Sequence, residues 1–299
     1  MTNPISGAQF ELVHGEYAAT IASVGASIRS LTHAGRDLVV PYGADEMRPA
    51  FRGVTLAPWP NRVVDGRYSF GGQDFKLGLS EHDRGHALHG LLVWSDYALI
   101  ERGDDFVSLE ATVEAQFGYP FRVAVRVDYR LDSDGLHQSV TGTNTGLDAA
   151  PFGTGPHPYL VAGPGNVDDW TLHLPCELVL EVTDDRLIPT GTAQVAGTAF
   201  DFQSPTTIGD VFIDHAFTGF SESRVTVTAP GGIGVAITWD TACTWVQVHT
   251  ADNPEPAISR LGLAVEPMTC PPDAFNSGTD LIVLQPGDSS TASWAISAL

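Results

Sequence analysis

The chain has 299 residues, 43% of them hydrophobic and 17% charged, with a net charge of −21. That length can bury a large core, and the composition is that of a folded globular protein rather than a disordered one. The negative charge disfavours nucleic acid and anionic membranes as partners, and the absence of a run of 18 apolar residues predicts no transmembrane helix.

Period-2 alternation of apolar and polar residues runs through the whole chain, and helical periodicity is nearly absent. Phe10 to Val40 is predicted to form several short strands broken at Gly15, Gly25 and Gly35. Arg67 to Phe70, Gly71-Gly72 and Gln73 to Leu77 carry a two-residue hairpin signature. Tyr97 to Glu101 and Phe106 to Ala115 flank Gly103-Asp104-Asp105 as a second hairpin. In Phe121 to Leu131 the odd positions are apolar, while Arg122, Arg126, Asp128 and Arg130 fall on the face expected to meet water. A turn at Asp134-Gly135 leads into Leu136 to Asn144. Arg224 to Ala229 and Ile233 to Trp239 form a further hairpin, and Leu281 to Leu284 and Ser293 to Ser297 close the chain. Single helical turns are expected near Asp45 to Phe51 and Pro272 to Asn276, and loops at Gly163 to Asp169 and Asp201 to Asp210. Antiparallel strands at this spacing imply a sandwich or barrel. With no linker or repeat visible, the reading is a single all-β domain over 1–299 with under a tenth of its residues helical.

Met1 to Phe10 lacks the basic and apolar regions of a signal peptide. Cys176, Cys243 and Cys270 are odd in number and far apart, which predicts free thiols and a cytoplasmic location. Lys76 is the only lysine and lies in a hairpin strand, so Schiff-base and pyridoxal-phosphate chemistry are set aside.

Five polar residues have neighbours that are apolar, small or conformationally restricted. His157 sits between Pro156 and Pro158, which hold it in an extended segment. Arg62 follows Pro58-Trp59-Pro60-Asn61, a stiff approach that suits holding a hydroxyl or carboxylate. His89 lies in His86-Ala87-Leu88-His89-Gly90, and Asp214 lies inside the apolar run Phe212 to Phe217. In Leu261 to Pro267, Leu261, Leu263 and Val265 are expected to face the core. Gly262 and Ala264 would then leave room beside Glu266 for a ligand. Apolar surroundings should raise the Glu266 pKa and favour general-base work. Each residue also has an ordinary structural reading: a connecting-loop histidine, a surface ion pair, a buried hydrogen-bonded histidine, a cap and an edge-strand glutamate.

Taken in order with their flanks, these residues resemble the aldose 1-epimerase (galactose mutarotase) family. The resemblance is carried by P-N-R-V at Pro60 to Val63, L-H-G at Leu88 to Gly90 and H-P-Y-L at His157 to Leu160. It continues in D-H-A-F at Asp214 to Phe217, L-A-V-E-P at Leu263 to Pro267 and P-D-A-F-N at Pro272 to Asn276. It spans the chain from about Leu31 to the C-terminus. The resemblance implies a large antiparallel β-sandwich with a sugar cleft across one sheet. It implies His157 as general acid on the ring oxygen and Glu266 as general base on the C1 hydroxyl. Arg62, His89 and Asp214 would bind sugar hydroxyls, with an aldose as the partner and neither cofactor nor metal required. His86 stands where many members have Asn, Leu91 where many have Gly, and His249 in place of a common Tyr, so galactose is not assumed as the sugar. Gln247 and His249 share a strand face that can line the cleft.

Three alternatives stay open: a non-catalytic carbohydrate-binding sandwich, a sugar-phosphate epimerase, and a metal enzyme using His86, His89, His157 and Glu266. Two expectations about the pair follow. His157 and Glu266 should face each other across a space one pyranose ring wide. For activity at neutral pH, nearby carboxylates such as Asp214 should raise the His157 pKa, so that Glu266 reports on the acid limb of a bell and His157 on the alkaline limb.

Overall fold

The expected hairpins are present, and their register explains which residues are buried. In this computed structural model, which describes residues 4–299, 49% of residues are strand and 5% helical. Met1 to Asn3, the start of the segment read for a signal peptide, lie outside the described residues. Strand Val123–Asp132 pairs antiparallel with Phe106–Val113 on one side and Gly135–Asn144 on the other. Val123, Val125, Val127, Tyr129 and Leu131 are buried, and the intervening arginines and aspartate are partly or fully exposed. The side-chain period of two thus turns one sequence pattern into a core face and a wet face.

These strands belong to a nine-stranded sheet running from Ala98–Arg102 at one edge to Thr206–Thr207 at the other. A six-stranded sheet runs in the order Tyr159–Leu160, Leu263–Met268, Trp245–His249, Asp214–Phe220, Cys176–Val182, Pro189–Gln194. A four-stranded meander of Gln9–His14, Tyr17–Ala22, Ser27–His33 and Arg36–Asp37 occupies the N-terminal region. Every pair of named strands is antiparallel, as the alternation implied. One buried apolar cluster joins the sheets, with Val125 and Ile237 from the first, Val246, Val248 and Val265 from the second, and Ile21 from the meander. Each such side chain contributes about 1.5–3 kcal/mol on leaving water.

Two segments differ from expectation. The last strand is Ser289–Ala298, four residues longer at its start than its apolar pattern suggested. Its serines and threonines have the look of a turn, but they lie on the outer face and pair across strands. Thr141 and Thr291 hydroxyls are 2.8 Å apart, as are those of Thr143 and Ser289. Thr206–Thr207, expected as loop, forms a short edge ladder with Thr171–His173. The expected helical turns appear as a 3-10 turn at Pro49–Phe51 and a single α-turn at Ala274–Ser277. No helix among the described residues is long and apolar enough to cross a membrane.

Candidate active site

The six-stranded sheet has two unlike faces. Val246, Val248 and Val265 point into the main core, so the residues between them point the other way. Register then decides the neighbours on that second face. Gln247 stands opposite Glu266, and His249 stands between Ala264 and Asp214. His157 approaches from the segment before Tyr159–Leu160, which pairs with Leu263 and Ala264 at the sheet edge. The backbone of His157 is held by Gly53, whose N–H donates to its carbonyl at 2.8 Å.

Arg62 and His89 come from outside this sheet. A two-residue ladder pairs Arg62–Val63 with Ala87–Leu88, and the His89 N–H donates to Asn61 O at 2.8 Å. His89 has a left-handed backbone, φ 65°, which is uncommon for a residue with a Cβ. Gly90 follows with φ 80°, and a Cβ there would come within 2.1 Å of Ala57 O. This close approach carries His89 over the sheet face. His89 and His157 meet edge to face with ring centroids 4.9 Å apart, and Phe51 packs on His89 at 4.8 Å.

The result is a cleft of 320 Å³ lined by all five residues singled out from the sequence: Arg62, His89, His157, Asp214 and Glu266. That size falls within the range of small-molecule sites. Arg62, His89, His157 and Glu266 are between 1% and 7% exposed. His157 Nε2 lies 3.3 Å from Glu266 Oε1. Arg62 makes a two-pronged pair with Glu81, Nε to Oε2 at 2.8 Å and Nη2 to Oε1 at 3.0 Å, and its Nη2 lies 3.5 Å from Asp214 Oδ2. Gln247 Nε2 donates to Asp214 Oδ1 at 2.7 Å. Four buried polar atoms here have no hydrogen-bond partner within the protein: His89 Nδ1, His157 Nδ1, Gln247 Oε1 and Glu266 Oε2. Buried polar atoms are rarely left so, and a cluster of them at a cleft marks where a polar ligand fits.

Burial, reinforced by the Asp214 charge, raises the Glu266 pKa well above the ordinary carboxylate value. Burial, with His249 adding to it, lowers that of His157. Burial and the neighbouring His157 hold His89 well below the usual imidazole range. Burial thus favours the neutral form of each of these three groups. The other carboxylates behave oppositely. Burial would raise Asp214 and Glu81, but Arg62, and for Glu81 also Arg84, outweigh it and keep both ionised. Burial would lower Arg62, but Glu81 and Asp214 outweigh it and hold it charged.

Known proteins share this architecture. The family model for aldose 1-epimerase matches residues 8–297. The chain belongs to the aldose 1-epimerase family. It is 39% identical over 285 residues to YihR, an uncharacterised protein of Escherichia coli K12, covering 94% of this chain and 90% of that one. It is 27% identical over 185 residues to the aldose 1-epimerase of the same bacterium, covering 56% of this chain and 53% of that enzyme. In fold it matches a GalM/aldose epimerase homologue from C. elegans, with a TM-score of 0.87 at 20% identity and 98% of each chain covered. The family match begins at residue 8, so it includes the N-terminal meander that the sequence blocks did not reach.

Several expectations need correction. His157 and Glu266 do not face each other across a ring-sized gap. They touch, because the strand pair Tyr159–Leu160 and Leu263–Met268 brings them to the same sheet edge. The His157 pKa moves down rather than up, because burial outweighs the attraction of Asp214. Leu261 does not face the core: it precedes the strand and is 39% exposed. Gly262 does not open space for a ligand, since a Cβ there would meet Val40 Cγ2 at 2.4 Å. His86 lies outside the cleft lining. It is fully buried, accepts the Asp65 N–H at Nδ1 and reaches Arg186 O from Nε2 at 2.8 Å. Among the described residues no three His, Cys, Asp or Glu side chains gather to hold a metal ion. The sequence reading missed Glu81, Arg84 and Phe51, which line the cleft with the rest. Glu81 and Arg84 sit in a polar run, Ser80 to His86, with no apolar pattern to set them apart. Gln247 and His249 do line the cleft, as their strand parity implied.

Proposed function

We propose that this protein is an isomerase that interconverts the α and β anomers of an aldose by general acid/base ring opening and closure. The observation that carries the proposal is the buried His157–Glu266 pair, an imidazole and a carboxyl group 3.3 Å apart that both line one polar cleft. Ring opening needs one base and one acid at once. The Glu266 carboxylate takes the proton from O1, and the O1 electron pair forms the C1=O bond. The C1–O5 bond breaks, and O5 takes a proton from His157. The C1–C2 bond rotates, and the same steps in reverse close the ring on the other face. With one proton on the pair, the reactive form, ionised Glu266 with protonated His157, arises by moving that proton across their contact. It therefore requires no proton from solvent.

Arg62, His89, Asp214 and Gln247 supply donors and acceptors for the sugar hydroxyls. Arg62 and Arg84 are both committed to Glu81, which argues against a phosphate group as the anchor. The reading as one domain rests on the single apolar cluster that joins the sheets. The three buried, unpaired cysteines support a cytoplasmic location. Saturation-transfer NMR or polarimetry on a panel of hexoses and pentoses tests the activity. The expected result is anomer exchange faster than in buffer for at least one sugar; exchange at the buffer rate across the panel would overturn the proposal.

A further inference from the structure

Glu81 stands outside every motif that carries the family resemblance, yet its carboxylate is committed entirely to the cleft. Its side chain is 11% exposed, and both oxygens are used. Oε2 accepts from Arg62 Nε at 2.8 Å, and Oε1 accepts from Arg62 Nη2 and Arg84 Nη1, each at 3.0 Å. A two-pronged carboxylate fixes the plane of a guanidinium, not only its position.

The backbone around Glu81 is built to hold that carboxylate still. Glu81 and His86 form a bridge, with Glu81 N–H donating to His86 O at 3.1 Å and His86 N–H to Glu81 O at 3.2 Å. The buried His86 ring ties the loop to Asp65 and to Arg186. Ser80 Oγ accepts the Leu88 N–H at 2.8 Å, which joins the loop to the strand leading into His89. His86 thus fixes the loop that carries Glu81.

Arg62 is contested by two carboxylates. Glu81 holds it at hydrogen-bonding distance, whereas Asp214 stays 3.5 Å away and gives its other oxygen to Gln247. Without Glu81, only a 3.3 Å bond from Arg62 Nη1 to Asn61 Oδ1 opposes collapse of Arg62 onto Asp214, and the two groups would spend their cleft-facing donors and acceptors on each other. We infer that Glu81 is a positioning residue, which holds Arg62 back from Asp214 so that both remain open to sugar hydroxyls. This inference rests on the proposed anomer exchange, since it concerns the binding half of that site.

The test is a double-mutant cycle read by steady-state anomer exchange on the sugar the native protein turns over best. Glu81→Gln should raise KM about tenfold while kcat stays within about threefold, as expected when ground-state and transition-state binding are lost together. In the Arg62→Ala background the same substitution should change KM less than about twofold, because Glu81 acts through Arg62. Glu81→Asp, which keeps the charge and shortens the reach, should give an intermediate KM and serves if the glutamine variant does not fold. An unchanged KM in a folded Glu81 variant would overturn the inference, as would effects of Glu81→Gln and Arg62→Ala that simply add. Native protein that exchanges no anomers would instead overturn the functional proposal.

Discussion

Glu266→Gln removes the proposed base and leaves the shape of the site. The glutamine keeps an acceptor near the Oε1 position, 3.3 Å from His157 Nε2, so the contact can persist. No other carboxylate is free to replace it. Asp214 accepts from Gln247 and is made a weaker base by the nearby Arg62 charge, Glu81 is paired with two arginines, and Asp252 is paired with Arg260. The full contribution of one positioned proton transfer should therefore be lost, about 10²–10⁴-fold in kcat, or about 3–5 kcal/mol of barrier. Sugar affinity should change by less than about tenfold, since the hydroxyl-binding groups are untouched. Stability separates this result from misfolding. The raised Glu266 pKa means that the native state holds a proton which the unfolded chain releases above pH ~4.3. Native stability thus falls as pH rises from that value toward the raised pKa, and a glutamine has no such loss. The variant should melt at or above the native temperature at pH 8. The measurements are saturation-transfer NMR for exchange and a thermal melt for stability. Near-native kcat in the variant would refute the mechanism, and a melting temperature well below native at pH 8 would refute the burial argument.

Three further outcomes follow from the same geometry. The pH profile of kcat/KM should be a bell whose limbs belong to the coupled pair, with the assignment opposite to that expected from the sequence. Below the acid limb His157 gains a second proton and no base remains; above the alkaline limb Glu266 loses the shared proton and no acid remains. The His157 shift places the acid limb below the ordinary imidazole value of ~6.5, and the Glu266 shift places the alkaline limb well above ~4.3; an acid limb above 6.5 would contradict this. Arg62→Ala should raise KM with a smaller effect on kcat, measured on the same sugar, because its contacts are made equally before and during ring opening. Gly90→Ala should cost more than about 1 kcal/mol in a denaturant melt, since its positive φ disfavours a Cβ and the Cβ would meet Ala57 O at 2.1 Å. The same variant should lower kcat/KM by displacing the adjacent His89.

Much of this protein was legible in its sequence because strand periodicity is a local property. Apolar residues at 246, 248 and 265 forced Gln247 and Glu266 to the opposite face whatever the strands paired with. The prolines around His157 likewise marked an extended, rigidly held residue, and the motif order pointed to the family. Partner choice and protonation were decided only by the tertiary structure. Glu81 becomes the partner of Arg62 through a loop closed by His86 and anchored at Arg186, a residue 124 positions from Arg62 in the chain (186 − 62). The contact between His157 and Glu266 depends on the register between Tyr159–Leu160 and Leu263–Met268, which no local pattern specifies. The direction of the His157 shift depends on how completely water is excluded. Asp214 alone would have raised it, but packing by Phe51, His89 and Tyr159 buries the ring, and in a dry site the cost of charging an imidazole exceeds the attraction of a nearby carboxylate.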